Sequence, residues 1–116
     1  MCGIVGYLSS NFENKKSVIQ SMTQTLTHRG PDKENYWNDD FISLGHTRLS
    51  VIDLSSNGDQ PMLSYSGRFV IVFNGEIYNA QEIKKYLDSD CKNIKWRGHS
   101  DTEILLNSID FLRLLS

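Results

Sequence analysis

Arg68-Phe69-Val70-Ile71-Val72-Phe73-Asn74-Gly75-Glu76-Ile77-Tyr78-Asn79 is the stretch on which the fold reading turns. Phe69 to Phe73 is an unbroken run of aromatic and aliphatic residues, and its length and β-branched content predict a strand buried on both faces. Asn74-Gly75 then allows two readings. One is a type I′ hairpin turn. The other is a strand end leading into something else, because Glu76 to Asn79 offers no return strand of matching pattern. Asn79 with Glu82 three residues later is a capping pair, which predicts a helix from Ala80 to about Leu87.

Working outward, Tyr65-Ser66-Gly67 predicts the hairpin turn that feeds this strand. Ile4 to Leu8 predicts a strand closed by Ser9, Ser10 and Asn11. From Asn14 to Thr27, Val18, Ile19, Met22 and Leu26 recur at helical spacing, and Gly30-Pro31 supplies the stop. Phe41 to Leu44 and His46 to Ile52 read as short strands, and the composition from Asp53 to Pro61 reads as a loop. Ser100 to Glu103 forms a capping box for a helix carrying Ile104, Leu105, Leu106, Ile109 and Leu112. The order β-α-β-β-β-α-α, with antiparallel-type connections, predicts an α+β fold. The last helix stays strongly apolar up to Leu115, where a domain end is more often polar, so the chain is expected to stop inside a domain.

The 116 residues carry 12 Lys+Arg against 14 Asp+Glu, a formal charge of −2. No basic excess exists to neutralise a phosphate backbone or hold an anionic lipid surface, so neither a nucleic acid nor a membrane is an expected partner. No apolar run approaches the roughly 18 residues of a membrane span. Two cysteines far apart in the sequence form neither a CxxC pair nor a disulfide framework, which predicts a reducing, cytoplasmic setting.

Cys2 follows Met1, which is commonly removed before a small residue. One residue would then own both a thiol and an α-amine of closely matched basicity, so that the amine can take the thiol proton. The competing reading is a small buried residue opening a strand. Asn74 and Gly75 can present a side-chain amide and a backbone N–H to a developing oxyanion, unless they make the hairpin turn. Arg48 can clamp a carboxylate through parallel hydrogen bonds, or be an exposed strand arginine. Asp101 can receive an ammonium group, or complement the dipole of the helix it opens. His28, His46, His99, Cys2 and Cys91 do not fall at metal-ligand spacings. No phosphate-cradling glycine motif is present.

Six ordered motifs carry a resemblance: Cys2 to Gly6, His28 to Asp32, Gly45 to Leu54, Gln60-Pro61-Met62, Asn74 to Asn79, and Ser100 to Glu103. In this order they resemble the glutaminase domain of glutamine-dependent asparagine synthetases, a class II glutamine amidotransferase. Pro31 and the run Arg48-Leu49-Ser50-Val51-Ile52-Asp53 look like that subfamily. The resemblance implies an N-terminal-nucleophile hydrolase fold of antiparallel sheets layered with helices. It implies Cys2 as nucleophile, Asn74 and Gly75 as oxyanion donors, and Arg48 for the glutamine α-carboxylate. It further implies Glu76 and Asp101 for the α-ammonium, and the backbone of Val51 and Ile52 as pocket lining.

Glutamine would be the substrate, and a synthetase domain or subunit the partner. Family glutaminase domains are longer than this chain, so residues 1–116 would be a partial domain with the ATP-pyrophosphatase domain absent. No cofactor is expected here, since ATP and magnesium would serve only that missing domain. The alternatives are a non-catalytic remnant that needs a partner to complete its fold, and a metal or redox module built on Cys2, Cys91 and the histidines.

Overall fold

The computed structural model describes residues 2–10, 13–50, 55–91 and 93–115, and the side chains up to residue 113. Within them the chain forms an α+β fold with two antiparallel sheets and three α-helices. It divides into two compact units, one of residues 1–51, 59–61 and 72–74 and one of 52–58, 62–71 and 75–116.

The first unit is a three-stranded sheet in the order β1-β3-β2, with β1 at Gly3–Leu8, β2 at Lys33–Asn38 and β3 at Ile42–Arg48. The register sets Gly3 against Thr47 and Leu8 against Ile42 on one side of β3, and Lys33 against Arg48 on the other. The two short strands expected at 41–44 and 46–52 are therefore one strand up to Arg48, and Val51 and Ile52 lie outside the described residues. Strand β2 is missing from the sequence reading because Lys33-Glu34-Asn35-Tyr36-Trp37-Asn38 is mostly polar, as an edge strand tolerates.

Helix α1, Lys15–Gln24, covers one face of this sheet and ends three residues before the expected Thr27. Its Thr23, Thr25 and Thr27 hydroxyls turn back on the carbonyls of Ile19, Met22 and Gln24, and Thr27–Arg29 forms a 3-10 turn. The buried stripe of α1 is Lys15, Ile19 and Thr23, whereas Val18 is 42% exposed. Close approach depends on glycine, since a Cβ at Gly45 would fall 1.9 Å from Thr23 Oγ1.

The second unit starts with a hairpin of β4, Met62–Leu63, and β5, Val70–Ile71. Its turn is where the sequence places it: Gly67 has φ 77° and its N–H donates to Ser64 O at 2.9 Å. The long strand expected over Phe69 to Phe73 is not formed. Only Val70 and Ile71 are strand, and all five residues are half-buried rather than covered on both faces. The physical reason is pairing: β4 is two residues long, and the Phe73 N–H donates to the Gln60 side chain at 2.6 Å instead of to a ladder.

Helix α2, Ala80–Asp90, packs against α3, Asp101–Leu115, with Ala80, Leu87, Ile104 and Leu106 buried. Asn79 opens α2 without a side-chain capping bond, so the Asn79–Glu82 pair is not a capping box, and the Asn79 carbonyl accepts from Ile83 N at 3.1 Å. At α3 half of the expected box forms, with Glu103 N donating to Ser100 Oγ at 3.2 Å. The Glu103 carboxylate goes elsewhere, accepting from the backbone of Arg97 at 2.8 Å and Gly98 at 3.0 Å.

Candidate active site

Cys2 precedes the first paired residue of β1, so the register delivers it to the Arg48–Leu49 end of β3. Its half-buried sulfur accepts from Leu49 N at 3.3 Å, and its carbonyl accepts from Arg29 Nε at 3.2 Å. The same sulfur donates to the Leu49 carbonyl at 3.7 Å, so both backbone polar groups of Leu49 hold the side chain in place. The motif around Arg29 serves the same strand end. Asp32 N donates to Arg48 O at 3.0 Å, and the Asp32 carboxylate accepts from Ser50 N at 2.8 Å.

Arg48 is only 7% exposed, which removes the reading of an exposed strand arginine. Its Nη1 donates to Asp59 Oδ1 at 2.7 Å, and Lys33 Nζ stands 3.2 Å from Asp59 Oδ2. Two residues earlier on the same face of β3 lies His46, 1% exposed, whose ring nitrogens meet no well-formed hydrogen bond among the described residues. Burial, and then the Arg48 charge, push this imidazole down to about 4, against smaller opposing pulls from the Phe73 backbone and Asp59. It is neutral at physiological pH. Neither Asp59 nor this state of His46 is marked by any motif; a polar residue alternating with Arg48 on one strand is the signal that points to His46.

Asn74 closes the first unit, directly after Phe73, whose N–H is held by Gln60. The hairpin reading of Asn74-Gly75 is overturned. A type I′ turn needs positive φ at both residues, and neither has it; no return strand follows, and the chain runs on into α2. Asn74, Gly75 and Glu76 are solvent-exposed.

In the second unit Asp101 stands at the start of α3, half-buried, and its Oδ2 accepts from Ile77 N at 2.8 Å. That bond brings the backbone of Ile77, the residue after Glu76, to the Asp101 carboxylate. The dipole reading of Asp101 holds as well, since the residue lies in the first turn of α3. Of the predicted set, the structure thus groups Cys2, Arg48 and Asn74 in one unit and Gly75, Glu76 and Asp101 in the other. Among the described residues no three His, Cys, Asp or Glu form a metal-holding group, and no helix is long and apolar enough to cross a membrane.

The glutamine amidotransferase domain model matches residues 1–111. The chain belongs to this family. Among relatives of the amidotransferase chain, a glutamine-hydrolysing asparagine synthetase of Bacillus subtilis is 39% identical over 117 residues, covering 93% of this chain and 18% of that protein. One from Arabidopsis thaliana is 37% identical, covering 99% of this chain and 20% of that protein. An amidase of Gibberella zeae, chry2, is 34% identical over 91% of this chain and 17% of its own length. The amidotransferase chain therefore spans about a fifth of the length of the curated relatives it matches.

Proposed function

We propose that this chain is the glutamine-hydrolysing part of an asparagine synthetase-like amidotransferase, built on an N-terminal-nucleophile hydrolase fold. Residues 1–116 then form part of a class II glutaminase domain. A separate synthetase domain or subunit uses the released ammonia for ATP-dependent amidation of aspartate or a related carboxylate. The observation that carries this reading is the Cys2 thiol, tied to Leu49 N at the strand end that also bears the buried Arg48 guanidinium.

The chemistry follows from the residue types. With Met1 removed, the free α-amine of Cys2 takes the thiol proton, and the thiolate attacks the side-chain carbonyl carbon of glutamine. The carbonyl oxygen becomes an oxyanion, for which the Asn74 amide and the Gly75 N–H are the donors. Collapse breaks the C–N bond, the protonated amine returns its proton to the leaving nitrogen, and ammonia departs from a γ-glutamyl thioester. Water then releases glutamate and restores the thiol. Arg48 receives the substrate α-carboxylate, Glu76 and Asp101 receive its α-ammonium, and the Val51 and Ile52 backbone lines the pocket. Glutamine is the small-molecule partner. The free thiols of Cys2 and Cys91 support a reducing cytoplasmic setting.

One set of observations favours partner-dependent function. Leu8 is 77% exposed, Phe41 60% and Leu112 60%, which suits a chain whose apolar surface is covered by other protein. Labelling with an electrophilic glutamine analogue tests the main reading. The expected outcome is one adduct on Cys2, blocked by excess glutamine, on protein whose intact mass lacks Met1. Labelling at Cys91, labelling indifferent to glutamine, or full labelling of Met1-bearing protein counts against it.

A further inference from the structure

Two neighbouring loop residues that the catalytic chemistry leaves out, Asp59 and Gln60, make side-chain contacts to two elements that the proposed site depends on. Arg48 has a long side chain, and carboxylate capture needs its planar fork held in one place. The Asp59 bond to Nη1, at 2.7 Å, joins side chains only 9% and 17% exposed, where a charge-assisted hydrogen bond is strong. Asp59 is shared with Lys33 at 3.2 Å, so one carboxylate stands between two cations and the trio keeps a net positive charge. An arginine neutralised by a single private carboxylate would attract a substrate carboxylate less. Gln60, 6% exposed, accepts from Phe73 N at 2.6 Å, and the next residue is the exposed Asn74.

We infer that Asp59 and Gln60 are positioning residues for glutamine turnover: Asp59 fixes the Arg48 guanidinium for the substrate carboxylate, and Gln60 fixes the Phe73 backbone that precedes Asn74. The inference rests on the glutaminase reading above. It separates two kinetic effects that a merely structural loop would not separate, because the first residue acts on binding and the second on the oxyanion.

The test uses the full chain, with glutamate release and a thermal melt measured on each variant. Asp59→Ala is expected to raise KM for glutamine about tenfold, the change that roughly 1.4 kcal/mol of lost binding gives, with kcat within about twofold. Gln60→Leu is expected to lower kcat about tenfold with KM nearly unchanged, and Gln60→Glu, which keeps an acceptor oxygen, to restore most of it. A fall in KM for Asp59→Ala would mean that Asp59 competes with substrate for Arg48, and would overturn the inference. Parallel loss of both constants with the melting temperature would overturn it too. If the wild type does not turn over, L-glutamate binding by NMR titration replaces kinetics, and the Asp59→Ala loss of about tenfold in affinity is required. A folded wild type that neither binds nor hydrolyses sinks the glutaminase reading and this inference with it. A wild type that does either, matched by both variants, sinks this inference alone.

Discussion

The two units bury opposite charges. In the unit of β1, β2, β3 and α1, the buried charged side chains are Lys15 and Arg48 among the described residues; in the unit of β4, β5, α2 and α3 they are Glu103 and Asp110, 1% and 0% exposed. The apolar content differs as well. Ile19 is the one large aliphatic fully buried in the first unit among the described residues, whereas Met62, Leu87, Ile94, Ile104 and Leu106 are buried in the second. The first unit is held by a long ladder and by glycine-permitted contact, which fixes strand ends closely enough to seat a thiol and a guanidinium. The second is held by an apolar helix pair and by carboxylates that tie loops to α3. Asp110 takes bonds from Ser66 N at 3.3 Å, from the Ser66 hydroxyl, and from Arg68 Nη2 at 2.7 Å. Burial alone would raise its pKa, but these bonds and that of Ser64 together hold it down at about 2.

The sharpest way to break this contrast is to strand the buried anion. Arg68→Met leaves the buried Asp110 without its half-exposed cation, and is expected to cost about 2–3 kcal/mol of stability, the range for hydrogen bonds to a charged group. Denaturant titration checks it, and a loss under about 1 kcal/mol would mean that the serines alone carry the carboxylate. Asn74→Ala acts on chemistry instead of folding: glutamate release is expected to fall about 100-fold or more, with the melting temperature nearly unchanged. Equal loss of both would make Asn74 structural. Gly45→Ala presses a methyl onto Thr23 and is expected to destabilise by about 1–3 kcal/mol. Thr23→Ala in the same chain should recover much of that loss, and failure of the double variant to recover would place the strain elsewhere.

The last effect is in pH. His46 has a folded pKa below its ordinary value, so stability is full above about 6.5 and falls as pH drops towards about 4. Asp110 is also depressed, so its contribution is present above 3.8 and lost as pH falls through about 2. Melting temperature against pH should therefore decline in two windows, the upper one flattened by His46→Gln and the lower one left in place. A single window insensitive to that substitution would remove the distinction between the units.

Much of the fold was legible because turn and cap chemistry is local. Gly67 and Ser100 act where the sequence places them. Strand β2 and the short β5 were not legible, because edge strands need no apolar pattern and because a run such as Phe69 to Phe73 pairs only as far as its partner reaches. The site residues with unusual chemistry, Cys2, Arg48, Asn74 and Asp101, stood out by type and motif. Asp59 lies in no motif, and Gln60 and His46 lie in motifs that assign them no role, since their meaning lies in contacts across sequence: Arg48 meets Asp59, and Phe73 meets Gln60, only once the chain is folded.

Glutamate release from glutamine by the purified chain, measured beside Cys2→Ala with a thermal melt on both, tests the central claim most directly. Release by the wild type that vanishes in an equally stable Cys2→Ala protein is the expected result. Release that survives the substitution, or a cooperatively folded wild type that releases none, would contradict Cys2 as the nucleophile of a working glutaminase.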